Sequence, residues 1–193
     1  MWGFPTSGGD DALEPGNLPK LWFSHPDHAA GMLRDNHLVN GDQVVRNGDD
    51  MVKVAIDLKD EHYGIETLWA EAVGEGRYRL RNVPILAFGY SEQDVVTATE
   101  IAGKLRVNGV AEPGGHSTYR LFFTAPTDDE KFNLLWEPLE KLGCTFERAN
   151  TRVIGIDVPP HADVYAVYAI LEQGEQAKNW SFEEGHCGHR LRA

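Results

Sequence analysis

His116, Arg120 and Glu183, followed by His186, Cys187 and His189, are the residues of this chain whose types could do chemistry together. A histidine titrates near neutrality, an arginine presents a fixed fork of donors and a carboxylate takes up protons. His116, Arg120 and Glu183 are therefore a candidate catalytic acid–base set. Imidazole and thiolate are borderline-soft donors, so His116, His186, Cys187 and His189 are a candidate zinc-ligating set. The chain has no paired Cys-x-x-Cys and lacks the spacing of a zinc knuckle, and without zinc no cofactor is expected. The plainer alternative is a histidine-bearing tail lying beside a strand-end histidine. Ser117 adjoins His116 but is not its nucleophile, because neighbours on a strand point to opposite faces. No strand-to-helix phosphate loop, no Gly-x-Ser-x-Gly elbow and no His-Glu-x-x-His is present, which leans against a familiar enzyme class.

Bringing these residues together requires a particular order of elements. From Ser117 the chain reads strand, helix, strand, strand, helix, strand. The first strand ends near Thr124, with Tyr119, Leu121 and Phe123 on one face and His116, Thr118, Arg120 and Phe122 on the other. Thr127-Asp128-Asp129-Glu130 is a capping box, Phe132, Leu135, Leu139 and Leu142 recur at helical spacing, Pro138 should kink the helix and Gly143 should cap its end. Strands over 144–148 and 152–158 follow. Asp163 caps a second helix with Val164, Val167, Tyr168 and Leu171 as its buried stripe, Gly174 ends or bends it, and 180–184 is the last strand.

This order predicts a ferredoxin-like βαββαβ unit over residues 114–189. Its fourth strand runs antiparallel to its first, so the tail from Gly185 to His189 should return beside His116. Ile154, Ile156, Trp180 and Phe182 join Tyr119 under the helices. Val153, Asp157, Ser181 and Glu183 share the open face with Arg120, where Glu183 or Asp157 is the expected ion-pair partner. That face either packs on the N-terminal half or walls a polar pocket.

Upstream, alternating runs at 51–58, 66–73, 77–83, 95–100 and 104–110 predict a small antiparallel β-sheet or barrel over residues 51–113. The apolar run around Pro84 is expected to be a crossing loop. Residues 1–50 hold four prolines and several glycine steps and read as an irregular extension. Two exceptions within it are an apolar patch at 18–23 and a hairpin turning at Asn40-Gly41. The class is thus α+β.

A net charge of −12 argues against nucleic acid and anionic membranes as partners and permits a basic protein partner. No apolar run nears the ~20 residues of a membrane span. The start lacks a secretory signal, and two cysteines make no disulfide framework, so a cytoplasmic location is expected.

Val52-Lys53-Val54, Glu66-Thr67-Leu68-Trp69-Ala70-Glu71 and Gly76-Arg77-Tyr78-Arg79-Leu80-Arg81-Asn82-Val83-Pro84 together resemble a bacterial family, domain of unknown function 4265. The resemblance continues through Gly115-His116-Ser117-Thr118-Tyr119-Arg120, Leu142-Gly143-Cys144, Asp157-Val158-Pro159-Pro160 and Glu183-Glu184-Gly185. It spans roughly residues 51 to 189, with Gln93-Asp94 standing where Gly-Asp is usual, and implies a bacterial, soluble protein. It carries no catalytic role over to any residue.

Three functions follow from these features. The first is a non-catalytic protein-binding module, one use of which is to neutralise a basic toxin or effector. The second is an enzyme or metal protein centred on His116, Arg120 and the His/Cys tail. The third is a small-molecule sensor, by analogy of fold.

Overall fold

The computed structural model describes residues 51–58, 64–126 and 129–192. The expected extension with its patch and hairpin, and the capping pair Thr127 and Asp128, lie outside the described residues.

Strands β1 (Met51–Asp57), β2 (Ile65–Gly74), β3 (Arg77–Leu80), β4 (Val95–Ile101) and β5 (Lys104–Glu112) close into a barrel. Neighbours are antiparallel, and β1 meets β5 in parallel with Val54 opposite Leu105. Alternation drives the closure: Val54, Ile56, Leu68, Ala70, Leu80 and Val96 point inward and form one buried cluster. The β4–β5 turn places Ala102 and Gly103 both at positive φ, the geometry that matches the twist of two paired strands. β3 is shorter than the pattern suggested. After Leu80 the chain leaves the sheet as a connector, residues 81–94, consistent with Pro84 being unable to donate to a ladder.

The second half comprises β6 (Ser117–Phe123), α1 (Asp129–Glu140), β7 (Thr145–Arg148), β8 (Val153–Val158), α2 (Val164–Gln176) and β9 (Trp180–His186). Its four strands lie in the order β7-β8-β6-β9 and every pairing is antiparallel. The molecule is therefore α+β. Tyr119, Leu121, Phe123, Ile154, Ile156 and Trp180 pack with Phe132, Leu139, Val167 and Leu171 of the helices, as the alternation required. Trp136, four residues after Phe132, is a further buried member, and Tyr168 is 37% exposed rather than part of the stripe.

α1 continues through Pro138 to Glu140 and closes at Gly143. The Gly143 amide donates to Glu140 O (2.8 Å) and the Cys144 amide to Leu139 O (3.2 Å). Asp163 caps α2 by accepting from the amides of Tyr165 and Ala166 at 3.0 and 3.2 Å. Gly174 does not end α2. It lies inside the helix under the Trp180 ring, where a Cβ would stand 1.8 Å from Cζ2. No described helix is long and apolar enough to cross a membrane.

Candidate functional site

The open face of the β6–β9 sheet is covered by the connector. Glu66 on β2 secures it: its two carboxylate oxygens accept from the backbone amides of Ile85, Leu86 and Ala87 at 2.7–3.1 Å. Burial pushes this carboxyl upward against the pull of those three donors. Gly155 in β8 makes room for the contact, since a Cβ there would meet Ile85 Cγ1 at 2.8 Å and Val83 Cγ1 at 2.9 Å. Asn82 donates to Glu147 Oε1 (2.9 Å), and Thr118 donates to Ser91 Oγ (2.9 Å) in a fully buried contact. Asp94 accepts from the amides of Ser91 (2.8 Å) and Gly114 (2.7 Å), joining the start of β4 to the approach to β6.

Arg120 is 3% exposed in the middle of this layer. Its guanidinium lies 3.7 Å from the centroid of Phe88 on the connector, and its Nη1 is 3.7 Å from Glu183 Oε2. Register explains the choice of carboxylate: Glu183 is opposite Arg120 in β9, whereas Gly155 is opposite it in β8. Asp157 therefore does not pair with Arg120. It lies diagonally across from His116, and both its oxygens reach His116 Nδ1, at 2.8 and 2.9 Å.

The His116–Asp157 pair has acidic neighbours. Burial works to lower the His116 pKa, but the hydrogen bond and charge of Asp157, with Glu92 and Asp94 behind it, hold it above the ordinary value. Burial, then the charges of Asp157 and Glu147, push Glu92 up to about 7. Both shifts give one sign. The folded protein keeps a proton on Glu92 that the unfolded chain has lost. The His116 contribution is full below the unfolded histidine value and fades as pH rises through the folded one. Stability should therefore decline as pH rises through neutrality. Glu92→Gln should flatten that decline in urea titrations across about pH 5 to 8. It should raise stability at the alkaline end by on the order of 1–2 kcal/mol, the group's partial exposure keeping the gain below the full linkage value. An unchanged slope would remove Glu92 from this role.

The tail does return beside the start of β6, with His186 opposite Thr118. It is fastened to Ser117, however, on the side away from His116. Ser117 Oγ accepts from the amides of Gly188 (2.9 Å) and His189 (3.3 Å) and lies 2.7 Å from His189 Nδ1. His189 Nε2 is 3.1 Å from the Pro159 carbonyl, which can only accept. Nε2 therefore carries the hydrogen, and the serine hydroxyl donates to Nδ1. Ser117 is fully buried, so this pair is a clasp. Gly188 lies too close to β6 for any side chain, a Cβ standing 2.2 Å from His116 O. His116 and His189 thus project to opposite sides of the strand, and among the described residues no three His, Cys, Asp or Glu groups converge as metal ligands. Cys144 and Cys187 are both free thiols, and burial pushes Cys144 up to about 12.

The structure thus joins Arg120 to Glu183 and His116 to Asp157, while the His189 side chain is held at Ser117 instead of at His116. Sequence reasoning did not find Glu66, Glu92 or Asp94. The available signal was small: Asp157 stood on the same predicted face as His116, but pairing them needed the register.

A second candidate surface lies on the other side of the molecule. On α2, Tyr165 and Tyr168 are 44% and 37% exposed. Tyr168 packs edge-on against Phe182 (5.3 Å, 79°), and burial followed by the charges of Glu172, Glu184 and Glu175 raises its phenol pKa. Arg192 from the tail sits over the Tyr165 ring at 5.4 Å, and its amide donates to the Tyr165 hydroxyl at 2.5 Å.

A family model described as Domain of unknown function (DUF4265) matches residues 66–182, from β2 to the middle of β9. No curated protein matches the chain. A solved structure, described as the novel crystal structure of a hypothetical protein from Neisseria gonorrhoeae, is similar in fold. Its TM-score is 0.61 at 17% identity, covering 70% of this chain and 94% of that one.

Proposed function

The chain belongs to the DUF4265 family, and we propose that it is a protein-binding module taking a basic partner on the acidic, aromatic surface of α2 and β9. One observation carries the reading: Tyr168 is half-exposed among Glu172, Glu175 and Glu184, while its neighbour Tyr165 already holds a guanidinium, that of Arg192. An exposed ring with carboxylates beside it favours Lys and Arg through cation–π and charge attraction together, and the net charge of −12 speeds encounter with a basic surface. Neutralisation of a basic toxin or effector is one use such a surface serves.

We read the half from β6 onward as ferredoxin-like, a reading supported by the sheet order, in which its first strand lies between its third and fourth. We take residues 51–113 as a barrel domain and 114–189 as the ferredoxin-like one. Two free thiols suit a reducing cytoplasm.

The test is a lysine-rich peptide titrated into 15N-labelled protein at low salt. Shifts should gather on Tyr168, Glu172 and Glu184, and Tyr168→Ala with Glu172→Gln should weaken binding about tenfold. A glutamate-rich peptide that binds equally well, or shifts confined to the barrel, would overturn the reading.

A second reading rests on the His116–Asp157 pair. The carboxylate holds Nδ1, so Nε2 is the nitrogen left to act as base or acid in an enzyme, with Glu92 near neutrality beside it. Loss of an activity in His116→Gln whose pH profile follows one ionisation near neutrality would favour this over the binding module. Ligand-induced thermal shifts that depend on Arg120 or His116 would favour a small-molecule sensor.

A further inference from the structure

β9 is the edge strand of its sheet. Its pairing side is set by two contacts. The Thr124 amide donates to Asn179 O, and the ladder then pairs Phe122 with Ser181 and Arg120 with Glu183. Since backbone groups alternate across an antiparallel pair, Ser181 and Glu183 face β6 while Trp180, Phe182 and Glu184 turn theirs outward. The Phe182 amide bears this out, because it reaches outward to Glu175 Oε1 of α2, a long 3.3 Å contact. Gly185 O accepts from the Gly89 amide, so the open length ends there. Among the described residues, no strand covers residues 180–184.

From this geometry we infer that β9 is a strand-addition site. A partner's extended basic segment lies antiparallel or parallel along Trp180, Phe182 and Glu184 as a fifth strand. This rests on the proposed recognition of a basic partner and names how that partner is held. An incoming carbonyl replaces Glu175 at the Phe182 amide. Glu175, once released, joins Glu172 and Glu184 in pairing with the lysine or arginine side chains that the new strand presents on the helix side. Tyr168, packed on Phe182, is the ring beside which those cations settle. Charge selects the occupant. A second copy of this chain would set its own Glu172, Glu175 and Glu184 against the same three, so like-with-like edge pairing is disfavoured.

The experiment uses the full chain and three blocked octapeptides: alternating lysine and valine, the same peptide N-methylated at every backbone amide, and alternating glutamate and valine. Amide exchange and 15N shifts are followed at Phe182 and Glu184. The lysine–valine peptide should slow exchange of both amides about tenfold, and N-methylation, which keeps the charges but removes the backbone donors, should weaken binding by about the same factor. Glu184→Pro removes one outward N–H together with the Glu184 carboxylate, and Glu184→Gln removes the charge alone; the proline variant should abolish strand addition, whereas the glutamine variant should only weaken it. If the N-methylated peptide binds as well as its parent, basic recognition stands and strand addition falls. If no lysine peptide binds, both fall. If the Glu184 amide, which unlike that of Phe182 has no side-chain acceptor assigned to it, is already protected in the dilute free chain, another segment of the chain covers the edge and the inference is overturned.

Discussion

Replacing Gly174 by alanine is expected to lower stability by about 3 kcal/mol, although alanine is the better helix former by about 1 kcal/mol. The reason is one contact. A Cβ at this position would lie 1.8 Å from Trp180 Cζ2 and 2.1 Å from Cε2, so the indole has to leave. The ring is 3% exposed, donates from Nε1 to the Leu171 carbonyl at 2.9 Å and stacks edge-on against Phe123 at 5.9 Å. Displacing it forfeits much of what removing a buried tryptophan would cost, about 3–5 kcal/mol. Urea unfolding followed by tryptophan fluorescence would measure the loss. The double variant Gly174→Ala with Trp180→Leu should be less destabilised than the sum of the two single changes, because the smaller side chain vacates the space that the methyl needs. A Gly174→Ala protein as stable as its parent would mean that helix and strand are not in the contact described.

Arg120→Met should be destabilising by about 3 kcal/mol, and Arg120→Met with Glu183→Leu should restore most of that loss. Arg120 is buried and Glu183 mostly so on the same face, but their ion pair is long at 3.7 Å. Arg120 Nε and Nη2 and Glu183 Oε2 have no hydrogen-bond partner among the described residues. Burial lowers the arginine pKa and raises the glutamate pKa, each opposed by the other's charge. Such a pair contributes little over apolar residues of similar volume. Removing only the arginine leaves Glu183 and Glu66 without their cation and Phe88 without the plane it stacks on. A double-mutant cycle in urea separates the cases: strong coupling with a stable double variant supports this account. A double variant as unstable as the two single losses combined would show instead that the guanidinium holds the connector through contacts other than Glu183.

The pH dependence of the His116–Glu92 layer and the stability of the Arg120 layer belong to the same surface, the one joining connector to sheet. Sequence reasoning located this face correctly as the one carrying His116, Thr118, Arg120, Asp157 and Glu183. What covers it was not legible. Residues 81–94 have no period, and their position is set by Glu66, fifteen residues before the connector begins, gripping three amides, and by the absence of a side chain at Gly155. A glutamate in an alternating strand carries no mark that distinguishes such a grip from a solvated position. The tail was placed at the right end of β6 by topology alone, but on the wrong side for a metal site. The bulge between Thr118 and Tyr119, and the capture of Gly188 and His189 by Ser117, are details of packing with no signature in spacing.

The sequence by itself determined the order of strands and helices, the two faces of each strand and most of the buried stripe, because these depend on periods of two and of about 3.6 residues that local chemistry sets. Only the tertiary structure decided which carboxylates meet His116, Arg120 and Tyr168. His116 takes Asp157, Arg120 takes Glu183, and Tyr168 gathers Glu172, Glu175 and Glu184. Those choices follow from register and from the path of the connector. A shift of one residue in pairing would exchange every partner while leaving the pattern along each strand unchanged.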